Sequence, residues 1–307
     1  MRIAHISDLH LIALDGAVPL RLLNKRLTGY VNLKLVRSPI HQLPIAQAVA
    51  REVGRGGFDH VVVTGDLTNL ALEREFELVR TVLEQELGLD PAMVSIVPGN
   101  HDAYTRGAYR SRRFQTYLGA YATSDLPDLA GVSLPGAFPF VRLRGPAAVI
   151  GLCSAVPRPP MVASGMFGRA QREALGRILA HPEVRRRTPI ILQHHPLHNP
   201  PGRAKALLEG LWDAEEEQAL LAGLARGLVL HGHLHRRIHR TLQTRGGRVE
   251  AVGTTSASLR HAAADRMAGY NVIELDEAGA IGSLSAFRLD EASGAFEPAE
   301  IPEPENS

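Results

Sequence analysis

Short apolar runs that each end near a polar cluster are the feature of this sequence that most restricts its fold. Six runs rich in apolar and β-branched residues end at Ser7, Thr64, Val97, Leu152, Gln193 and Leu230. Their length and composition predict strands. Helical patterns lie between them, at about 44–54, 71–87, 106–121, 168–180 and 213–225. Strands that alternate with helices in this way predict α/β layers.

The pattern changes after Leu234, where the predicted elements become pairs of strands. Residues 239–253 and 270–287 each contain two strand-like runs around a glycine-containing turn, Gly246-Gly247 in the first case. Such turns predict antiparallel hairpins. The two kinds of connection together predict mixed sheets.

We predict one domain over residues 1–289, because no stretch within it is rich enough in Gly, Ser or Pro to act as a linker. Residues 16–40 form a basic and apolar insert with no acidic residue, and Leu20, Leu23 and Leu27 are spaced for one face of a helix. Two interpretations stay open, peripheral membrane or lipid contact through residues 20–37 and an ordinary helical lid. Residues 290–307 are acidic and rich in proline, which predicts a disordered tail.

Composition excludes several classes of protein. The single cysteine, Cys153, can form neither an internal disulfide nor a thiolate cage, so a metal site must use His, Asp, Glu or Asn. The 34 basic and 32 acidic residues give a formal charge of +2, too balanced for a protein that coats nucleic acid. P-loop, dinucleotide-binding and nucleophile-elbow motifs do not occur. Since Asp8 interrupts what would be a signal-peptide core, we expect a cytoplasmic protein.

Five polar clusters lie at or just after the ends of the predicted strands. Their sequences are DLH at 8–10, GDLTN at 65–69, GNHD at 99–102, HHP at 194–196 and HGHLH at 231–235. Each cluster is weak evidence alone, because a lone histidine at a strand end is more often structural. Together they place oxygen and imidazole ligands at one edge of an α/β sheet, where such folds usually bind their ligands. The set predicts a multi-metal site with mixed oxygen and nitrogen ligands.

In the same order, the clusters resemble the DxH, GDxxN, GNHD, HH and GHxH blocks of the calcineurin-like metallophosphoesterase superfamily. The resemblance implies an α/β fold, a four-layer αββα sandwich of two mixed β-sheets flanked by helices. It implies hydrolysis of a phosphodiester by a hydroxide shared between two divalent metal ions, Mn²⁺ or Fe by preference and Zn²⁺ as the alternative. It further implies that one ion is held by Asp8, His10 and His235, the other by Asn100, His194 and His233, and that Asp66 bridges both.

The resemblance also assigns roles to residues beside these ligands. His101 is expected to assist the leaving group, as a general acid or by stabilising its charge. Asp102 either orients that imidazole or caps the following helix. Spacing leaves open whether His194 or His195 is the ligand, and the family's arrangement favours His194. Further candidates for contact with the ligands or the substrate are His195, Asn69, His231, Arg106 and Arg110.

Three functions stay open within this resemblance. The GNHD and HHP forms resemble the branch that hydrolyses cyclic nucleotides and glycerophosphodiesters, so we expect a small soluble phosphodiester and no nucleic acid as partner. A UDP-diacylglucosamine pyrophosphate hydrolase of lipid A synthesis, acting at the membrane surface, is the alternative that the basic insert would serve. A non-catalytic scaffold is the third, and the complete set of ligands argues against it.

Overall fold

The computed structural model describes residues 1–13, 40–131 and 137–306. Within these residues the chain forms strands of two to nine residues. They are β1 (Arg2–Ile6), β2 (His60–Val63), β3 (Val94–Ile96), β4 (Phe140–Arg144), β5 (Ala147–Gly151), β6 (Thr188–Leu192), β7 (Arg226–His231), β8 (Ile238–Gln243), β9 (Arg248–Gly253), β10 (Gly269–Leu275), β11 (Ile281–Leu289), β12 (Phe296–Ala299) and β13 (Glu305–Asn306).

These strands form two sheets. In the described part of the chain, the first sheet has the order β12-β11-β10-β1-β2-β3 and the second has the order β13-β8-β9-β7-β6-β5-β4. β1, β2 and β3 run parallel, as do β5, β6, β7 and β9. The pairs β8–β9 and β10–β11 are antiparallel, which confirms the predicted hairpins and mixed sheets. Parallel neighbours end at the same edge of a sheet, so each sheet collects several carboxyl-terminal strand ends on one side.

Helices pack against both sheets. They are α1 (Leu43–Arg55), α2 (Glu73–Thr81), α3 (Arg106–Arg110), α4 (Arg113–Leu118), α5 (Arg169–Ala180), α6 (Pro182–Arg185), α7 (Arg203–Glu209) and α8 (Ala214–Leu221). A π-helical segment, Val82–Leu87, continues α2. Short 3₁₀ turns lie at Pro91–Met93, Gly119–Ala122 and Pro127–Leu129.

The apolar core follows the layers. Ile190 and Leu192 of β6 belong to a large core that includes the first sheet and the buried faces of α1 and α2. Between them, Ile191 belongs to a second core with Leu175 and Ile178 of α5. Alternate residues of a strand face opposite sides of its sheet, so β6 is covered on both faces. Helix, sheet, sheet and helix thus form the predicted four-layer α/β fold.

The C-terminal segment differs from the disorder that its composition predicts for residues 290–307. The strand β12 extends the first sheet beside β11, and β13 pairs with β8 at the edge of the second. Acidic residues of the segment also lie 2.7 to 3.1 Å from arginines, in the pairs Glu291–Arg260, Glu297–Arg288 and Glu305–Arg240. Such exposed ion pairs stabilise little by themselves. The order comes from backbone pairing with distant strands, which composition cannot show.

The predicted insert, residues 16–40, lies outside the described residues except for Ile40, and so does its expected lipid-contacting part, 20–37. The single domain over residues 1–289 likewise stays a prediction. Among the helices that the structure describes, none combines the length and the apolar character that crossing a bilayer requires.

A fully buried arginine connects the edges of the two sheets. Arg142 lies on β4, in the second sheet, and its guanidinium donates to the carbonyl oxygen of Val94, at the start of β3, at 2.6 Å. It also donates to the carbonyls of Pro91 and Ala120 at 2.7 and 2.9 Å, and to Thr123 Oγ1 at 2.8 Å. Since β3 leads directly to Asn100 and His101, these bonds help to fix the position of the GNHD loop relative to the second sheet.

We expect Arg142→Met to lower the free energy of unfolding by about 1 to 3 kcal/mol, because the buried carbonyl of Val94 loses the donor that Arg142 provides. Urea denaturation measures the change. The matched control is Arg144→Met on the same strand, where a partly exposed side chain pairs with Asp125 at 2.8 Å. That pair should contribute less than about 1 kcal/mol. Equal losses in the two variants would contradict a special role for Arg142.

Candidate metal centre

The five polar clusters meet where strand ends of the two sheets face each other. Residues 8–10 follow β1, 66 follows β2 and 99–102 follow β3, while 194 follows β6 and 233–235 follow β7. Each predicted ligand has a polar atom within 3.3 Å of a polar atom of another. The structure therefore brings together all seven, namely Asp8, His10, Asp66, Asn100, His194, His233 and His235.

The backbone of these loops is unusual. Five of the seven predicted ligands have φ between 46° and 71°, in the left-handed region: Asp8, His10, Asp66, His233 and His235. For residues other than glycine, such conformations are sparsely populated, cost about 1 to 3 kcal/mol each, and cluster at functional sites. Main-chain bonds hold two of them, since the Asp8 and His10 amides donate to the carbonyls of Gly65 and Asp66, both at 2.9 Å. Main-chain bonds to the neighbouring loop thus support the strained backbone at Asp8 and His10.

Two glycines allow the loops to approach each other. A Cβ atom at Gly99 would collide with the main-chain nitrogen and the carboxylate of Asp66. A Cβ atom at Gly232 would collide with Ser7 and with the carboxylate of Asp8. The glycines of the GNHD and GHxH blocks are therefore required by close packing around the two carboxylates.

Asp8, His10 and His235 form the first group of ligands. The Nε2 atoms of His10 and His235 lie 3.0 Å apart, and Asp8 Oδ1 lies 3.2 Å from His235 Nε2 and 3.8 Å from His10 Nε2. This carboxylate oxygen is buried and, among the described residues, accepts no hydrogen bond. A buried oxygen that faces two imidazole nitrogens fits one side of a metal site.

Asn100, His194 and His233 form the second group. Asn100 Oδ1 lies 3.1 Å from both His194 Nε2 and His233 Nδ1. The opposite ring nitrogens face carbonyls, His194 Nδ1 that of Thr64 at 2.8 Å and His233 Nε2 that of Glu209 at 2.9 Å. Because a carbonyl only accepts, those nitrogens donate, and the remaining nitrogen of each ring, on the side of Asn100, is the one that can offer a lone pair to a metal ion. Metal-ligating histidines are usually oriented in this way.

Asp66 lies between the two groups. Its Oδ2 atom is 3.3 Å from His194 Nε2 and 3.8 Å from His10 Nε2, and its Oδ1 accepts from the main-chain nitrogen of His101 at 2.7 Å. Asp8, His10 and Asp66 each place a ligand atom within 4.8 Å of the others. One carboxylate that faces both groups is the arrangement that a bridging ligand needs.

The electrostatics of the cluster suit divalent cations. Burial would raise the pKa of Asp66, but the neighbouring His194, His101 and His10 outweigh it and hold that pKa well below its usual range. Burial would lower the pKa of His194, yet Asp66 and Asp8 raise it to about 9. A divalent ion can supply the positive charge that the carboxylates draw onto His194, with release of its proton. Burial and the charge of His194 lower the pKa of His233 to about 4, so His233 is a neutral donor at pH 7.

His101 lies beside this cluster with its ring held on one side. The Nδ1 atom donates to the main-chain carbonyl of Asn69 at 2.7 Å, and the ring stacks on Tyr104 with centroids 5.3 Å apart. The Asn69 side chain in turn donates to the carbonyl of His10 at 2.5 Å. With Nδ1 fixed in this way, Nε2 is the atom through which His101 can give a proton. Asn69 thus contacts both His101 and the loop that carries His10.

Asp102 has a structural role that differs from both roles predicted for it. Its carboxylate accepts from the main-chain nitrogens of Leu67, Thr68 and Gly99 at 2.9 to 3.1 Å. The His101 ring is oriented by Asn69 instead, and α3 is capped by Thr105, which accepts from Ala108 N at 3.1 Å. Asp102 therefore locks the loop of Asp66 to the loop of Asn100. A short acidic side chain beside the catalytic candidate gave no sequence signal for this distinction.

Two further histidines support the loops. His195 has both ring nitrogens engaged, Nδ1 with Ser154 Oγ at 2.8 Å and Nε2 with the carbonyl of Ala163 at 2.7 Å. This geometry agrees with His194 as the ligand of the pair. The Nδ1 atom of His231 bonds the carbonyl of Gly232 at 3.1 Å, and its buried ring stabilises the start of the loop that carries His233.

Arg106 and Arg110 lie exposed on α3. Within the described residues, neither side chain has a hydrogen bond or an ion pair with another residue, so contact with a substrate phosphate stays a prediction.

No sequence pattern identifies His41, a buried histidine beside the first group of ligands. The ring of His41 lies 4.5 Å from that of His10 and 5.4 Å from that of His235, measured between centroids. His41 stands between the basic insert and α1, outside the five clusters, and no neighbouring residue completes a motif with it. Only the three-dimensional structure identifies it.

Solved structures with a similar fold include several phosphatases. A dimetal phosphatase from Danio rerio aligns with a TM-score of 0.59 and 14% identity, over 93% of this chain and 95% of that one. A purple acid phosphatase from yellow lupin (Lupinus luteus) aligns with a TM-score of 0.57 and 15% identity, over 97% of this chain and 52% of that one. The 5'-nucleotidase precursor of Thermus thermophilus gives 0.50 and 15%, over 93% and 53%. At these identities the similarity shows the fold alone, and no curated protein matches the sequence significantly.

A family comparison covers most of the chain. The Metallophos model, described as calcineurin-like phosphoesterase, matches residues 1–237. This range is more than three quarters of the 307 residues and contains all five polar clusters. The chain therefore belongs to the calcineurin-like phosphoesterase family.

Proposed function

We propose that this phosphoesterase hydrolyses a small soluble phosphodiester, such as a cyclic nucleotide or a glycerophosphodiester, with two divalent metal ions. The observation that carries the proposal is the convergence of the seven predicted ligands, with Asp66 between the two groups and His101 beside it. Family membership supports the hydrolysis of a phosphoric ester. A diester as the substrate is a more specific proposal than family membership alone supports.

The ligands fit two cations that share one carboxylate. One ion would be held by Asp8, His10 and His235, the other by Asn100, His194 and His233, with Asp66 between them. When bound, the ions would supply an activated water and neutralise charge on the phosphoryl oxygens. Oxygen and imidazole donors without thiolate suit Mn, Fe or Zn. The protein's own contribution is to hold these donors in place through strained loops and second hydrogen bonds on the rings.

In this proposal, His101 protonates the oxygen of the leaving group. In its protonated form, Nδ1–H stays on the carbonyl of Asn69, and the proton on Nε2 is the one it can give. Stacking on Tyr104 limits rotation of the ring. Proton transfer from a side chain held in this way contributes about 10²- to 10⁴-fold to a rate.

The choice of a diester is supported by the form of two ligand clusters. The sequences GNHD at 99–102 and HHP at 194–196 resemble the branch of the family that hydrolyses cyclic nucleotides and glycerophosphodiesters.

A substrate panel tests this choice. After metal removal and reconstitution with Mn²⁺, we expect a bis-aryl phosphodiester, cyclic nucleotides and glycerophosphodiesters to be hydrolysed with higher kcat/KM than an aryl phosphomonoester. A clear preference for the monoester would replace the proposal with a phosphatase. A preference for UDP-diacylglucosamine would favour the pyrophosphate hydrolase that the basic insert suggests.

We expect Asp66→Asn to abolish metal-dependent hydrolysis while the protein stays folded, because the substitution removes the charge shared by the two ions and keeps the shape of the side chain. Bound metal per chain, circular dichroism and kcat provide the measurements. The matched control is Asp59→Asn, an exposed position at the opposite end of β2 that should leave turnover unchanged. Near-normal turnover with two bound ions in the Asp66 variant would refute the assignment.

For His101→Ala, we expect normal metal binding and a kcat reduced by about 10²- to 10⁴-fold for diesters with poor leaving groups. The loss should shrink as the leaving group becomes more acidic, because an acidic alcohol leaves without a proton donor. A series of aryl and alkyl diesters measures this dependence. The same reduction across the whole series would remove His101 from the role of general acid.

A further inference from the structure

The backbone of His41 is fixed beside the first ligand group. His41 forms an isolated antiparallel bridge with Leu259, and the hydrogen bonds Gln42 N to Ser258 O and Arg260 N to Ile40 O measure 2.9 and 2.7 Å. Its side chain is 6% exposed. A buried ring on paired backbone has little freedom to move, so its position relative to His10 and His235 is a property of the fold.

The three rings of His10, His41 and His235 surround one point. Their centroids are 4.5, 5.0 and 5.4 Å apart, and each ring is tilted by 59° to 84° from the others. Each residue offers a ligand nitrogen, and the three nitrogens lie within 4.8 Å of one another.

These separations match three imidazoles on a shared ion. With a metal–nitrogen bond of about 2.1 Å and about 1.1 Å more to the ring centre, each centre would lie about 3.2 Å from the ion. Ligand angles of about 90° to 115° then separate the centres by about 4.5 to 5.4 Å. The observed centroid distances fall within this range, as three imidazoles that share one cation require.

Two buried serines select the nitrogen of His41 that would ligate. The Nδ1 atom lies 2.8 Å from Ser258 Oγ. The hydroxyls of Ser256 and Ser258 can both donate to the carbonyl of Asp8, at 2.6 and 3.4 Å, which leaves a lone pair of Ser258 to accept from His41 Nδ1–H. Nε2 then carries the lone pair. Donation of the second ring nitrogen to a polar group is typical of metal-ligating histidines.

Ring proximity alone does not make a ligand, as His195 shows. Its ring lies 4.6 Å from that of His233, yet both of its nitrogens are held by Ser154 and Ala163. His41 differs because one of its nitrogens belongs to a group of three imidazole ligand atoms that all lie within 4.8 Å of one another.

We infer that His41 is a further protein ligand of the ion held by Asp8, His10 and His235, through Nε2, with Ser258 as its positioning residue. This inference rests on the dinuclear site of the proposed function. The first position then has five protein donors, counting Asp66, whereas the second has four.

Metal binding tests the inference independently of activity. The purified 307-residue chain is stripped of metal and titrated with Mn²⁺ by calorimetry, and with Co²⁺ by visible absorption, which reports ligand number and type. In His41→Ala we expect one of two binding events to weaken at least about 10-fold with a changed Co²⁺ spectrum, while the other event stays as in the wild type. In Ser258→Ala we expect the same event to weaken by about 10-fold. This is the lower end of the range of affinity losses expected when a residue that orients a metal ligand is replaced. If His41→Ala does not fold, the measurements on Ser258→Ala provide the test.

The matched control is His60→Ala. His60 is equally buried and bonds Ser95 Oγ at 2.8 Å, but it lies at the start of β2, away from the ligands. This variant should bind both ions as the wild type does. Unchanged affinities and an unchanged Co²⁺ spectrum in His41→Ala would overturn the inference alone. A wild-type chain that binds no divalent ion would overturn the proposed function together with it.

Discussion

The site depends on one packing constraint, the contact between the loop that carries Asp66 and the loop that carries Asn100. The absence of a side chain at Gly99 lets the Asp66 carboxylate lie against that backbone, and Asp102 bonds both loops. With Asp66 fixed in this way, one of its oxygens faces His10 of the first group and His194 of the second. The rest of the centre is organised around an acid that cannot move independently of the fold.

The two sheets explain why such a centre can be built from distant parts of the chain. The loops that follow parallel strands lie at one edge of their sheet. The first sheet therefore supplies Asp8, His10, Asp66 and Asn100, and the second supplies His194, His233 and His235. Contacts between the sheets must then hold the two edges in a fixed position relative to each other. The buried Arg142 is one such contact, because it joins β4 to the chain segment that leads into the GNHD loop.

Much of the fold and of the ligand set could be predicted from the sequence, because both leave local patterns. The apolar runs predicted the strands and the polar clusters predicted a multi-metal site, whereas the resemblance to the family supplied the four-layer fold and the seven expected ligands. Roles that depend on non-local contacts left no such pattern. The bonds of Asp102 to Leu67 and Thr68, the position of His41 beside His10, and the pairing of β12 and β13 all join segments far apart in sequence. For this reason composition predicted a disordered tail, and spacing could not distinguish His194 from His195.

The left-handed backbone at five ligand positions also limits which substitutions those positions can accept. At Asp8 or Asp66, replacement by asparagine or glycine keeps a residue that tolerates the observed φ angle, whereas a β-branched residue adds steric strain to the loss of a ligand. A variant library at these positions would thus select for chain conformation as well as for chemistry. A variant that survives such a selection is therefore not shown to bind metal, and a variant that is lost from it is not shown to have lost metal binding.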